Sequence, residues 1–156
     1  MLLGIYTALA VLIVDQVTKY WVLNDVLAER GVVVYSSFFS LVRAWNTGVS
    51  FSMFNNWGTA GVIALSLVSL TIVVFLLLWI KSEKERIIQV ALGFIIGGAC
   101  GNVIDRVRLG AVFDFLDFSV GDYHWPAFNA ADSFICIGAG LIIFHSLFIR
   151  QAEVKQ

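Results

Sequence analysis

Charged side chains are scarce in this chain: they make up 13% of its 156 residues, against 60% that are apolar. A soluble domain of this size carries about a quarter charged residues to keep its surface in water. With a mean hydropathy of +0.89, the composition excludes a water-soluble globule. The 10 Lys and Arg against 11 Asp and Glu leave a net charge of -1, with no basic surplus to grip phosphates, so nucleic acid is excluded as a partner. Proline occurs once, and the 13 glycines do not make a low-complexity chain. The two cysteines, Cys100 and Cys136, lack the paired spacing of a zinc site or a redox C-x-x-C, and read as small packing residues.

What is present is apolar length. About 20 helical residues cross some 30 Å of hydrocarbon. Residues 59–80 and 87–104 contain no Asp, Glu, Lys or Arg; residues 133–149 contain none either and are apolar except for His145, and residues 2–23 are apolar except for Asp15 and Lys19 near the far end. Four transmembrane helices are expected, in a single membrane-embedded domain over residues 1–156. Ala8-Leu9-Ala10 resembles a signal-peptide cleavage site, but no basic segment precedes it and the apolar run continues to Val14, so the first helix is expected to stay uncleaved. Lys81, Lys84 and Arg86 crowd one short connection, whose charge density predicts both termini in the cytoplasm.

That topology puts residues 24–58 and 105–132 outside. Val32-Val33-Val34-Tyr35, Phe38 to Val42 and Ala111 to Phe118 are rich in β-branched and aromatic residues, which predicts short strands in a small antiparallel sheet on the outer face. The fold class is therefore an all-α integral membrane protein of four helices with a small outward-facing sheet. Trp45, Phe51, Phe54, Trp57, Tyr123 and Trp125 fall in these segments, where amphipathic rings favour the headgroup layer. Gly93, Gly97 and Gly101 lay a flat strip on the third helix for close approach of another.

Asp15, Asp105, Asp114 and Asp132 all fall near the outer ends of predicted helices, where a carboxylate beside hydrocarbon costs at least about 2.5 kcal/mol unless paired, hydrated or functional. Their bland reading is that they snorkel into the headgroups or form helix caps: Asp15 can pair with Lys19 one turn on, and Asp132 precedes Ser133 at a helix start. Asn102 and Arg106, four apart, share a helix face rich in donors. Asp114 and Asp132 can converge, and like-charged carboxyls within hydrogen-bond range share one proton, the arrangement by which aspartic proteases activate water. No Ser-His pair competes, since His124 is in the second outer segment and His145 near the opposite end of the last span. No H-E-x-x-H or similar ligand spacing points to a metal. Two other classes stand beside the protease. A proton-coupled carrier predicts acids spread across the membrane, and a non-catalytic scaffold packed through the glycine strip leaves the Asp114 and Asp132 pairing unexplained.

Five blocks in order resemble the lipoprotein signal peptidase, or signal peptidase II, family over essentially the whole chain. They are Asp15-Gln16-Val17-Thr18-Lys19, Asn46-Thr47-Gly48-Val49-Ser50-Phe51, Gly98 to Arg106, Val112-Phe113-Asp114-Phe115, and Phe128-Asn129-Ala130-Ala131-Asp132-Ser133; Ala130 departs from the larger aliphatic usual there. The resemblance implies an intramembrane aspartic endopeptidase that removes the signal peptide from bacterial prolipoproteins, cutting N-terminal to a diacylglyceryl-modified cysteine. Asp114 and Asp132 would be the catalytic pair; Asn46, Gly48, Asn102, Arg106 and Asn129 would hold substrate or orient the pair; Asp15, Lys19 and Asp105 would support them. The partners implied are the lipid-modified prolipoprotein, membrane lipids and peptide-type inhibitors such as globomycin, with no metal or organic cofactor and a monomer sufficing. The place implied is the bacterial cytoplasmic membrane, with the active site toward the outer leaflet.

The topology is testable: a cysteine substituted for Ser82 should stay unlabelled by a membrane-impermeant maleimide in intact cells. Labelling there would invert the expected orientation.

Overall fold

The computed structural model describes residues 1–48 and 58–149. Phe51, Phe54, Trp57, the Val49-Ser50-Phe51 part of the second sequence block, and Arg150 and Lys155 of the tail lie outside these residues. Among the described residues, four helices are long and apolar enough to cross a membrane: Leu2–Val26, Gly58–Ser82, Arg86–Leu109 and Ala130–Phe148. The first comprises α1 (Leu2–Trp21) and a widened turn in which the Leu27 N–H reaches the Val22 carbonyl at 2.8 Å. The others are α2 (Gly58–Ser82), α3 (Arg86–Leu109) and α4 (Ala130–Phe144), the last continuing in a wider coil.

Two of the boundaries that differ from expectation bear on the acids. α3 does not stop at Ile104 but carries Asp105 and Arg106 inside the helix, because Asp105 is 4% exposed and paired rather than solvated. It ends at Gly110, whose φ of 74° suits a residue without a Cβ, with its N–H on the Arg106 carbonyl at 3.1 Å. α4 begins at Ala130 rather than Ser133, because Asn129 is its cap and Asp132 sits in the first turn. Of the two cysteines, Cys100 is half-buried against the core as expected, whereas Cys136 is exposed on α4, so the packing reading fails there.

α3 is the central helix: 61% of its most apolar stretch is buried, against 22%, 17% and 11% for the other three spans. α2 shows Phe75 and Leu78 more than 60% exposed (67% and 62%), as suits side chains solvated by lipid tails. Without a hydrophobic force between helices in lipid, close packing must hold them. α3 supplies it through the glycine strip: a Cβ at Gly93 or Gly97 would stand 2.5 Å from the Gly4 or Ala8 carbonyl oxygen of α1. On another face, a Cβ at Gly98 would meet the Ala131 carbonyl oxygen of α4 at 2.5 Å, and one at Gly138 of α4 would meet the Ala91 carbonyl oxygen at 2.6 Å.

The predicted strands form as β1 (Val32–Ser36), β2 (Phe39–Asn46) and β3 (Val112–Val120), joined by an unforeseen β4 (Tyr123–His124) in an antiparallel sheet ordered β1-β2-β3-β4. Phe113, Phe115 and Leu41 pack with Val22 and Leu27, fastening the sheet to the end of the first span. Between Leu41 opposite Leu116 and Ala44 opposite Asp114, β2 holds one residue more than β3. Side chains alternate faces with period two, so this bulge moves Asn46 onto the face of Asp114; an unbroken register would turn it away.

Gly97→Val should lower the thermal midpoint in detergent, by the equivalent of roughly 1–3 kcal/mol of overpacking. Gly140→Ala, whose Cβ meets nothing within 4 Å, should leave it unchanged or slightly raised.

Candidate active site

The acids gather where α1, α3, α4 and β3 meet. Lys19 is 5% exposed, and its ammonium reaches Asp15 at 3.0 Å, Asp105 at 2.9 Å and the Asn102 side-chain oxygen at 3.1 Å. Asp15 lies on the same face of α1 one turn earlier, and its other oxygen accepts the Ala131 N–H at 2.9 Å. Asp105 also accepts the Phe113 N–H at 3.2 Å. Gln16 donates to Asp15 at 3.2 Å and Asp105 at 3.0 Å. The sequence reading gave Gln16 no role of its own; its only signal was its place between Asp15 and Lys19.

Asp114 comes from β3 and Asp132 from the first turn of α4, and Asn129 joins them. The segment before α4 runs along β3, with Phe128 bonded to Leu116 in both directions at 2.8 and 3.1 Å, which brings Asn129 beside Asp114. The Asn129 side-chain nitrogen donates to Asp114 at 2.6 Å. Its backbone N–H and side-chain oxygen form a capping box with Asp132, at 3.3 and 3.0 Å. Asp132 therefore does take part in capping, but as the third residue of the helix and not the cap itself. The second oxygen of Asp114 accepts from Asn46 at 3.1 Å, and Asp132 accepts from Asn102 at 2.8 Å.

Gly48 and Arg106 meet at the edge of this cluster, the guanidinium donating to the Gly48 carbonyl at 3.4 Å. Among the described residues the Arg106 Nε is buried without a hydrogen-bond partner. Arg106, Asn102, Asn46, Gly48 and Asp132 line a cavity of about 290 Å³ whose far wall is apolar, with Leu65, Val68 and Ile72 of α2. A second cavity of about 450 Å³, between the Trp125 to Phe128 segment and α4, also has Asp132 in its wall. Among the described residues no three His, Cys, Asp or Glu side chains are placed to hold a metal ion. The pair formed by Asp117 and His124, 2.9 Å apart at the β3–β4 end, was not anticipated and touches none of these groups.

Asp114 is 3% exposed. Burial, then the neighbouring Asp132 charge, pushes its carboxyl from an ordinary 3.8 up to about 7, while the Asn46 and Asn129 amides and the Lys19 charge pull the other way. The geometry thus offers two carboxyls in one electrostatic unit, one deeply buried and one in a cavity wall, with amide and guanidinium donors aimed beside them. Such a unit can hold a single proton and pass it.

A family model described as Signal peptidase (SPase) II matches residues 7–148. A lipoprotein signal peptidase of Rhodopseudomonas palustris (strain TIE-1) is 43% identical over 150 residues, covering 93% of this chain and 92% of that protein. One of Psychromonas ingrahamii (strain DSM 17664 / CCUG 51855 / 37) is 38% identical over 155 residues, covering 97% and 89%. A solved structure described as a bacterial membrane enzyme determined by the in meso method at 2.3 Å resolution superposes with a TM-score of 0.78 at 32% identity, covering 92% of this chain and 87% of that one.

Because Asp114 holds its proton more tightly folded than unfolded, the stability it contributes is complete below pH 3.8 and is lost as pH rises through about 7. Asp114→Asn should therefore gain thermal stability relative to the unmodified protein between about pH 4 and about pH 8. A difference that does not grow with pH would remove Asp114 as the buried acid.

Proposed function

The chain belongs to the signal peptidase II family, and from that premise we propose that it removes the signal peptide of diacylglyceryl-modified prolipoproteins as an intramembrane aspartic endopeptidase, cutting N-terminal to the lipidated cysteine. The observation that carries the aspartic mechanism is the junction at Asn129, which bonds to both Asp114 and Asp132 beside an open cavity. Asp132, in the cavity wall, takes one proton of the attacking water, and Asp114, the buried partner, gives its proton to the scissile carbonyl oxygen as the water oxygen bonds to the carbonyl carbon. The roles exchange when the amine leaves: Asp132 returns the proton to the leaving nitrogen, and Asp114 recovers one from the collapsing intermediate.

Substrate binding follows from the same walls. The Arg106 Nε, which has no hydrogen-bond partner among the described residues, and the amides of Asn46 and Asn102 are donors for substrate carbonyls, and the α2 wall takes an apolar segment. A substrate fastened in the bilayer by lipid and signal peptide can arrive laterally, which suits a site of the outer leaflet, with both termini in the cytoplasm. Peptide-type inhibitors such as globomycin would compete for this cavity, and one chain supplies every group the chemistry needs. The carrier alternative is disfavoured because the four acids gather at one end of the helices and α2 carries none.

Asp114→Asn and Asp132→Asn keep side-chain shape but cannot cycle a proton. Each should cut turnover by on the order of 10³-fold or more, read as the gel shift of a diacylglyceryl prolipoprotein, while the protein still inserts and melts no lower than the unmodified protein. Near-normal turnover in either variant would overturn the assignment.

A further inference from the structure

Three asparagine side chains donate to the acid pair, and an amide can donate or accept according to which way it is turned. Each of the three is fixed from behind by a group that can only donate. The Asn129 oxygen accepts the Asp132 N–H at 3.0 Å, and the Asn46 oxygen accepts the Gly48 N–H at 3.0 Å. Both of these fixing groups are backbone. For Asn102 the fixing group is a side chain, the Lys19 ammonium at 3.1 Å, with a longer bond from the Asn129 side-chain nitrogen at 3.3 Å beside it. An ammonium has three hydrogens and no acceptor, and those of Lys19 are spent on Asp15, Asp105 and Asn102. It cannot turn away from Asn102 without leaving a buried carboxylate unpaired.

We propose that Lys19 is a positioning residue for Asp132: by holding the Asn102 oxygen, it commits the Asn102 nitrogen as a donor to that carboxylate. The inference rests on the reading of Asp132 as the group that takes the proton from water. Without the ammonium, only the longer bond from Asn129, whose nitrogen is held more closely by Asp114 at 2.6 Å, opposes a turn of the Asn102 oxygen toward Asp132, where two acceptors repel and the carboxylate swings from its place. The charged groups around this unit are Asp15 and Asp105 on the Lys19 side, and Asp114 and Arg106 on the Asp132 side. Asp15 and Asp105 reach the acid pair only through Lys19 and backbone, so their part is to hold the ammonium still.

Lys19→Met combined with Asp105→Asn removes the ammonium while conserving the net charge of the cluster. Measured on the full chain in detergent with a diacylglyceryl prolipoprotein, kcat should fall on the order of 100-fold, the usual cost of a displaced reacting group, with KM unchanged within about twofold. In an Asn102→Ala background the same pair of substitutions should cause less than a threefold further loss, because the hydrogen-bonded route to Asp132 has already been cut and the net charge facing Asp114 is conserved. Losses that multiply, or a rise in KM equal to the fall in kcat, would overturn the proposal. Should the pair fail to fold, Asn102→Asp keeps a partner for Lys19 but removes the donor to Asp132. It should lose kcat as severely as Asn102→Ala, and kcat within about threefold of the unmodified protein would overturn the proposal. Asp132→Asn run alongside separates the two readings: if it still cleaves, the acid pair itself is wrongly assigned, whereas if it is dead and the losses multiply, only the Lys19 route falls.

Discussion

A single ammonium group holds the polar end of this molecule together. Lys19 Nζ is bonded to two carboxylates and one amide, and through them α1 is tied to α3 by Asp105 and Asn102, to α4 by the Asp15 bond to Ala131, and to β3 by the Asp105 bond to Phe113. Buried ions are weak sources of net stability, because desolvation offsets most of their attraction, but removing one member leaves an uncompensated charge and is costly. The network therefore acts chiefly as a geometric constraint. It admits one arrangement of four elements, and that arrangement is the one in which Asp114 and Asp132 share Asn129.

The constraint works only because the helices can approach closely enough for short side chains to meet. Gly101 lies against the Asp15 carboxylate itself, so the small-residue strip of α3 continues directly into the ionic cluster. The same face that packs α1 through backbone contacts further along leaves room here for a charge. Packing and electrostatics are thus two stretches of one helix–helix interface, which explains how an apolar chain can carry several buried charges at one level.

The sheet contributes through a single irregularity. Its strand pairing and aromatic contacts, with Phe39 against Phe118 and Trp45 against Phe113 at ring-centre distances of 5.0 and 5.4 Å, would hold a platform in any register. The extra residue in β2 turns that platform into part of the site, since it sets Asn46 and Asp114 on one face. Within the bulge, Arg43 donates from its side chain to the carbonyl of Leu27 and from its backbone N–H to the carbonyl of Gly31.

Much of this was legible in the residues. Uncharged runs of helical length, β-branched strands between them, the four-residue glycine spacing and four acids at one level follow from periodicity and from the cost of charge in hydrocarbon, which act locally along the chain. The Asp15 and Lys19 pair was readable for the same reason, as neighbours one helical turn apart. What no local rule could supply was the partner across space: Asp105 on the same ammonium, Asn129 between the acids, the bulge that reverses Asn46. Those depend on how far one helix slides along another and where a strand slips by one residue, and both are decided only when the close-packed glycine faces and the buried charges are satisfied together. Local patterning along the chain sets which segments cross and where the acids stand along them. The tertiary structure alone decided which acid faces which amide, because a buried carboxylate must find its donors wherever the packing brings them.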